Sequence, residues 1–249
     1  MSLVAQSLSL PGRLTGVSAR FAPGTLTAIC GPNGAGKSSL LSALAGLLPP
    51  ACGQVLLDDA PLASLAAAER ACAIGYLAQS AQVAWDVSVE TLVALGRIPH
   101  QWQGGTNARL DTAAIAAALS AMELEGLAHR PASQLSGGER ARALLARVLA
   151  GQPRWILADE PLANLDLAHA AALMALLRSQ AGMGTGVLVV LHDLASAMNH
   201  AQRVLVLDQG QIIADGPPHE ALSEAVIARV WGIRAHWLGA PGHRALAIG

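Results

Sequence analysis

The stretch Gly31-Pro32-Asn33-Gly34-Ala35-Gly36-Lys37-Ser38-Ser39 leaves this chain few folds to choose from. It follows the apolar run Leu26–Cys30, which reads as a buried parallel strand, and precedes Leu40, Leu41, Leu44 and Leu47 at helical spacing. Gly31-x4-Gly36-Lys37-Ser38 between a strand and a helix is the pattern of a phosphate-binding loop. Its glycines let the backbone fold into a nest of N–H groups, and the start of the following helix adds its dipole to the same anion site. Lys37 is placed to reach the β- and γ-phosphates of a nucleotide, and the Ser38 hydroxyl to ligate Mg²⁺. Lys37 is also the only lysine of the chain; every other basic residue is arginine. A compositional bias toward arginine accounts for the others, and a site that needs a compact ammonium accounts for the one that stays.

The rest of the chain suits an α/β domain built around that loop. Strands are expected at 54–58, 73–77, 155–158, 187–191 and 204–207, and helices at 90–95, 112–122 and 139–149. Asp208-Gln209-Gly210-Gln211 reads as a hairpin turn into 212–214, with Gly104-Gly105 and Gly126 as breaks between helices. Strands alternate with helices at both ends while 80–150 is mostly helical, which predicts a helical insertion in a mainly parallel-sheet core. At 249 residues this is one domain with an insertion, and 53 % hydrophobic residues supply ample core.

Composition also excludes functions. A net charge of −1 does not suit a nucleic-acid binder, which relies on clustered Lys and Arg. Mean hydropathy is +0.42, yet no run approaches the roughly 18 apolar residues that span a bilayer. The longest, 40–48, is broken by Gly46 and then Pro49-Pro50. The start, Met1-Ser2-Leu3-Val4-Ala5-Gln6, has no basic stretch ahead of an apolar one, so no signal peptide is expected. Cys30, Cys52 and Cys72 have no ligand spacing and fit buried thiols of a reducing compartment.

Two further motifs carry chemistry. In Trp155-Ile156-Leu157-Ala158-Asp159-Glu160 an apolar strand ends in two carboxylates. Beside a phosphate loop, these put Asp159 next to the Mg²⁺ shell and Glu160 near an attacking water; without the loop they would be a turn or a helix cap. Leu135-Ser136-Gly137-Gly138-Glu139 matches a capping box through Ser136 and Glu139, and its two glycines also expose N–H groups at a helix start, an anion site. Since the chain already has one phosphate loop, that second site is best used on a nucleotide held by another copy.

In this order the motifs resemble those of the ATP-binding subunit of ABC transporters, over roughly residues 3–231. Residues 31–38 resemble the Walker A loop, Gln79 the Q-loop glutamine, 135–139 the signature, 155–159 Walker B, Ala163-Asn164-Leu165-Asp166 the D-loop and His192 the switch histidine. Taken singly, a Gln after a strand and a His at a strand end are more often structural. The resemblance implies one ABC cassette over 1–249, with a P-loop NTPase core of RecA type, an N-terminal antiparallel β part, and 80–150 as the helical subdomain. It implies that ATP is bound by Gly31, Pro32, Asn33, Gly34, Ala35, Gly36, Lys37, Ser38 and Ser39, and that Mg²⁺ is bound by Ser38, Gln79 and Asp159. Glu160 takes the place of the catalytic base, His192 holds the γ-phosphate, and Gln79 relays occupancy of the site. Leu135, Ser136, Gly137, Gly138 and Glu139 would act on the ATP of a partner copy, with Asp166 in the D-loop between them. The aromatic on which relatives stack adenine is missing from Ser9-Leu10-Pro11-Gly12-Arg13-Leu14, and Arg13 is the candidate to stack on the base. Arg140 and Ala141 stand where many relatives have two glutamines.

Gly96-Arg97-Ile98-Pro99-His100 and Leu165-Asp166-Leu167-Ala168-His169 look like the branch that imports iron-siderophores, haem or cobalamin, although the first also reads as a plain helix end and turn. The resemblance implies a homodimer on two membrane permease subunits at the cytoplasmic face of the inner membrane, served by an extracytoplasmic binding protein, with no nucleic acid. Three alternatives stay open: a soluble ABC ATPase of DNA repair or translation, the ATPase half of an exporter, and a small P-loop kinase. The kinase would leave 135–139 and His192 idle.

Overall fold

The computed structural model describes residues 2–79, 86–102, 108–163 and 165–249. Asn164 of the expected D-loop, the Gly104-Gly105 break and the first residues of the expected insertion, 80–85, lie outside them. In chain order the strands are β1 (Leu3–Leu10), β2 (Leu14–Phe21), β3 (Leu26–Cys30), β4 (Cys52–Leu57), β5 (Ala60–Pro61), β6 (Ile74–Leu77), β7 (Trp155–Asp159), β8 (Gly186–Val190), β9 (Arg203–Asp208), β10 (Gln211–Gly216), β11 (Ala235–Leu238) and β12 (Ala245–Ile248). The helices are α1 (Lys37–Leu44), α2 (Ala67–Ala73), α3 (Val89–Ala94), α4 (Ile98–Trp102), α5 (Ala108–Ala121), α6 (Gly137–Ala150), α7 (Leu167–Gly182), α8 (Leu194–His200), α9 (Pro218–Ala221) and α10 (Glu224–Trp231).

The central sheet runs β10-β9-β3-β8-β7-β6, parallel except for the β9–β10 hairpin. Both faces of its central strands β3, β7, β8 and β9 are covered, which is why these read as apolar runs without alternation. Successive side chains still point to opposite sides. Ile156, Ala158, Val187, Val189, Val204 and Val206 join the core under α6, α7 and α8. Trp155, Leu157, Leu188, Val190, Leu205 and Leu207 join the core shared with α1 and the second sheet. That second sheet, β2-β1-β4-β5, is antiparallel and lies at the N-terminal end, as the resemblance implies. The described part of 80–150 is helical throughout its named elements, α3 to α6 with short 3₁₀ turns between them.

Several expectations need correction. Helix α1 ends at Leu44, so Leu47 is not on its apolar face and is 63 % exposed. Ala73 closes α2, and the strand begins at Ile74. Of the three cysteines only Cys30 is buried: Cys52 is exposed and Cys72 half-buried. Cys52 sits at the outer end of β4, where pairing with β1 is interrupted by a register shift, so no neighbour covers it.

Candidate functional site

The phosphate loop lies at the carboxyl end of β3, inside the sheet, and leads into α1. Gly36 is the cap of that helix at φ +97°, and a Cβ there would lie 2.4 Å from the Arg13 carbonyl, so only glycine fits. The loop is seated from behind by the β9–β10 turn, where the Gly210 N–H donates to the Ala35 carbonyl (3.1 Å) and the Gly210 carbonyl accepts from the Thr15 N–H (2.9 Å). Lys37 is only 5 % exposed and donates to the Gly31 and Pro32 carbonyls, both at 2.9 Å. Burial lowers its ammonium from the ordinary lysine value, against the pull of Glu160 and Asp159. Beneath it the fully buried Cys30 thiol is pushed up to about 12, so this thiol stays protonated and inert.

The carboxylates stand where the sequence puts them. Asp159, the last residue of β7, is buried and accepts from the Ser38 hydroxyl at 3.0 Å. Burial raises its pKa above the ordinary carboxylate value; Glu160 adds to this, while Ser38, Lys37 and His192 oppose it. A carboxylate and a hydroxyl side by side are hard oxygen donors, and with two nucleotide phosphates they make the partial shell that Mg²⁺ accepts. The donor set fits the ion.

Glu160 follows at φ +50°, a left-handed backbone that is costly for a residue with a Cβ and turns its side chain off the strand axis. Its two oxygens are held from opposite sides. His192 Nε2 approaches Oε1 at 2.5 Å, and Gln79 Nε2 donates to Oε2 at 2.6 Å. His192 is in turn placed by Asp193, whose carboxylate caps α8 at the Ala195 and Ser196 N–H groups. The capping role of Asp193 has a sequence signal, an Asp just ahead of an apolar helix, that the reading of His192 alone passed over.

A cleft of about 330 Å³ opens over the loop, lined by Gly12, Arg13, residues 33–39 and Glu160. Arg13 thus borders the site with the phosphate loop. Residues 135–139 do not line this cleft. Ser136 caps α6 by accepting from Glu139 N–H at 3.3 Å, and Glu139 accepts from Ser136 N–H at 2.8 Å, so the capping box is formed. That bond holds the Glu139 carboxyl below its usual range. Gly137, Arg140 and Ala141 line a second cleft with Gln79 and Glu160, which gives the Arg140-Ala141 pair a place although no reason for its departure from glutamine. Asp166 caps α7 and does not reach the loop; its partner is His169.

The pentapeptide 96–100 turns out to be a clasp. Arg97 is buried; its Nε donates to Asp111 Oδ1 at 2.7 Å and its Nη1 to the Ala150 carbonyl at 2.9 Å, while His100 Nε2 meets the Gly151 carbonyl at 2.8 Å. These bonds satisfy carbonyls at the end of α6. A Cβ on Gly96 would lie 2.0 Å from the Arg147 carbonyl, so the backbones meet there directly.

Residues 14–163 match the family model described as ABC transporter. The chain is 45 % identical over 218 residues to "Hemin import ATP-binding protein HmuV" of Streptomyces coelicolor, covering 88 % of this chain and 77 % of that protein. It is 43 % identical over 230 residues to the protein of the same name from Myxococcus xanthus, covering 88 % and 85 %. Among solved structures, cbiO1 from Clostridium perfringens, described as part of the ABC transporter complex cbiONQ, superposes with a TM-score of 0.78 at 27 % identity, covering 91 % of this chain and 92 % of that one.

Proposed function

The chain belongs to the ABC transporter family, and from that premise we propose that it is the ATP-hydrolysing subunit that powers import of haem or a related iron chelate or corrinoid. The observation that carries the catalytic part is the Glu160 carboxylate, held between His192 and Gln79 at the edge of the cleft over the phosphate loop. Loop N–H groups and Lys37 bind the β- and γ-phosphates; Ser38, Asp159 and Gln79 would hold Mg²⁺, which would neutralise phosphate charge. Glu160 takes the proton of the attacking water as general base. His192 keeps that carboxylate oriented and hydrogen-bonds the γ-phosphate, and Arg13 stacks on the base. Ser136, Gly137 and Gly138 lie away from the chain's own loop, which suits a homodimer in which they close over the ATP of the partner copy.

Among the described residues no helix is long and apolar enough to cross a membrane. Transport therefore calls for membrane partners: two permease subunits, with the chain peripheral on their cytoplasmic side, and an extracytoplasmic protein to deliver ligand. The haem assignment rests on the names of the relatives. It is tested in a strain that lacks this chain and is given haem as sole iron source. Wild-type chain restores growth and Glu160→Gln does not. Growth that is unaffected by the deletion would overturn the haem assignment, and full rescue by Glu160→Gln would overturn the ATPase role.

A further inference from the structure

The turn between β9 and β10 stands where the phosphate loop meets the arm that carries Arg13, and none of its side chains takes part in the chemistry described so far. Parallel pairing of β3 with β9, with Cys30 opposite Val206, brings the end of β9 beside the start of the loop. Asp208 pairs with Gln211, and the two residues between them, Gln209 at φ +46° and Gly210 at φ +75°, are both left-handed, as the tightest hairpin turns require. Both backbone groups of Gly210 bond outside the hairpin. Its N–H donates to the Ala35 carbonyl of the loop at 3.1 Å, and its carbonyl accepts from the Thr15 N–H at 2.9 Å.

Thr15 is the second residue of β2, an edge strand of the antiparallel sheet. Just before it comes the tight turn Pro11-Gly12-Arg13, which the Arg13 N–H closes on the Leu10 carbonyl at 2.9 Å. Gly12 and Arg13 line the cleft over the loop together with Ala35. One glycine is therefore bonded on one side to the arm that carries Arg13 and on the other to the phosphate loop. The arm belongs to one sheet and the loop to the other.

We propose that Gly210 is a positioning residue that sets the Arg13 arm at a fixed height over the phosphate loop, and so determines how well the cleft holds base and phosphates at once. The inference rests on the reading that Arg13 stacks on the base. It predicts that cutting the link leaves phosphate binding and the hydrolytic step intact, and weakens only the grip on a ligand that spans both walls.

Proline at position 15 cuts the link and little else. It removes the N–H that reaches Gly210, and an edge strand tolerates proline where its N–H points away from the sheet. Equilibrium binding of Mg·ATP and of Mg·tripolyphosphate, which has no base, would be measured for wild type, Thr15→Pro, Arg13→Ala and the double variant. The kcat at saturating ATP checks that each is folded. Thr15→Pro is expected to bind ATP about fivefold more weakly, the loss that fits one backbone hydrogen bond, with tripolyphosphate affinity and kcat within about twofold of wild type. In the Arg13→Ala background Thr15→Pro should add less than about twofold, because the two changes act through one contact. Gly210→Ala, whose Cβ would lie 2.7 Å from the Arg13 carbonyl oxygen, should likewise weaken ATP more than tripolyphosphate, and carries the comparison if Thr15→Pro does not fold. Unchanged ATP affinity, an equal loss for ATP and tripolyphosphate, or losses that add fully in the double variant would overturn the inference while the stacking reading stands. Wild-type ATP affinity in Arg13→Ala alone would overturn the stacking reading, and the inference with it.

Discussion

The phosphate loop and the turn at the start of α6 both stand at glycine-rich helix starts, yet only the first is built round by side chains of its own chain. Around the loop Lys37 sits on two carbonyls, Ser38 on Asp159, and Glu160 between His192 and Gln79. The loop also rests on the β9–β10 turn. Ser136 and Gly137 are exposed, and the turn they start is closed by its own capping box. Its helix is fastened at the other end, where Arg97 and His100 hold the last carbonyls. A site left open at one end of a firmly anchored helix is arranged to be completed from outside.

The largest effect that would break this comparison falls on the finished site. Glu160→Gln should keep ATP affinity yet lower hydrolysis about 10²–10⁴-fold, because the water loses its base. It should also accumulate an ATP-bound dimer on size exclusion. Turnover that persists, with only monomer present, would mean that Glu160 is not the base and that the finished site has been misidentified.

Next comes the anchor of α6. Arg97→Ala leaves Asp111 half of a buried ion pair and frees the Ala150 carbonyl, and should destabilise the chain by about 3 kcal/mol in urea unfolding. Nucleotide affinity at the loop, measured well below the transition, should not change. A loss of affinity in step with stability would show that insertion and loop are one unit, and that the contrast between them is false.

A smaller effect sharpens the account of the loop. The Asp159 carboxyl has a folded-state pKa above its unfolded one, so its ionisation opposes folding at neutral pH, and that cost disappears as pH falls through the raised pKa. Asp159→Asn keeps an oxygen acceptor for Ser38 and should therefore stabilise the nucleotide-free chain by about 1 kcal/mol at pH 7 while abolishing hydrolysis. The gain should shrink as pH is lowered into the carboxylate range. A variant less stable than wild type at every pH would contradict the burial argument.

What the sequence made legible follows the same divide. The loop, β3, β7 with Asp159, and the β9–β10 turn could be read because phosphate chemistry and apolar parallel strands constrain residue types tightly. Strand β1 could not be read from alternation: Leu3 and Ala5 are buried, then Leu8 and Leu10, and the parity flips at a bulge where Ser7 has φ +50°. Of the antiparallel sheet the pattern shows only β4, at 54–58, and its place in an N-terminal antiparallel part comes from the resemblance. Helix α7 stayed hidden because its Ala-rich run gives no clear apolar stripe, although Asp166 signals its cap. The Arg97 clasp was ambiguous because a buried arginine is recognised by its partners, and Asp111, Ala150 and Gln152 are distant in sequence.

The claim that the open turn of α6 serves another copy's nucleotide is tested most directly by Ser136→Arg, assayed for ATP affinity as a monomer and for ATP hydrolysis. The account predicts monomer affinity within about twofold of wild type, a change of well under 1 kcal/mol, and hydrolysis reduced to background. Monomer affinity that collapses as it would for Lys37→Ala, or hydrolysis that survives the substitution, would contradict it.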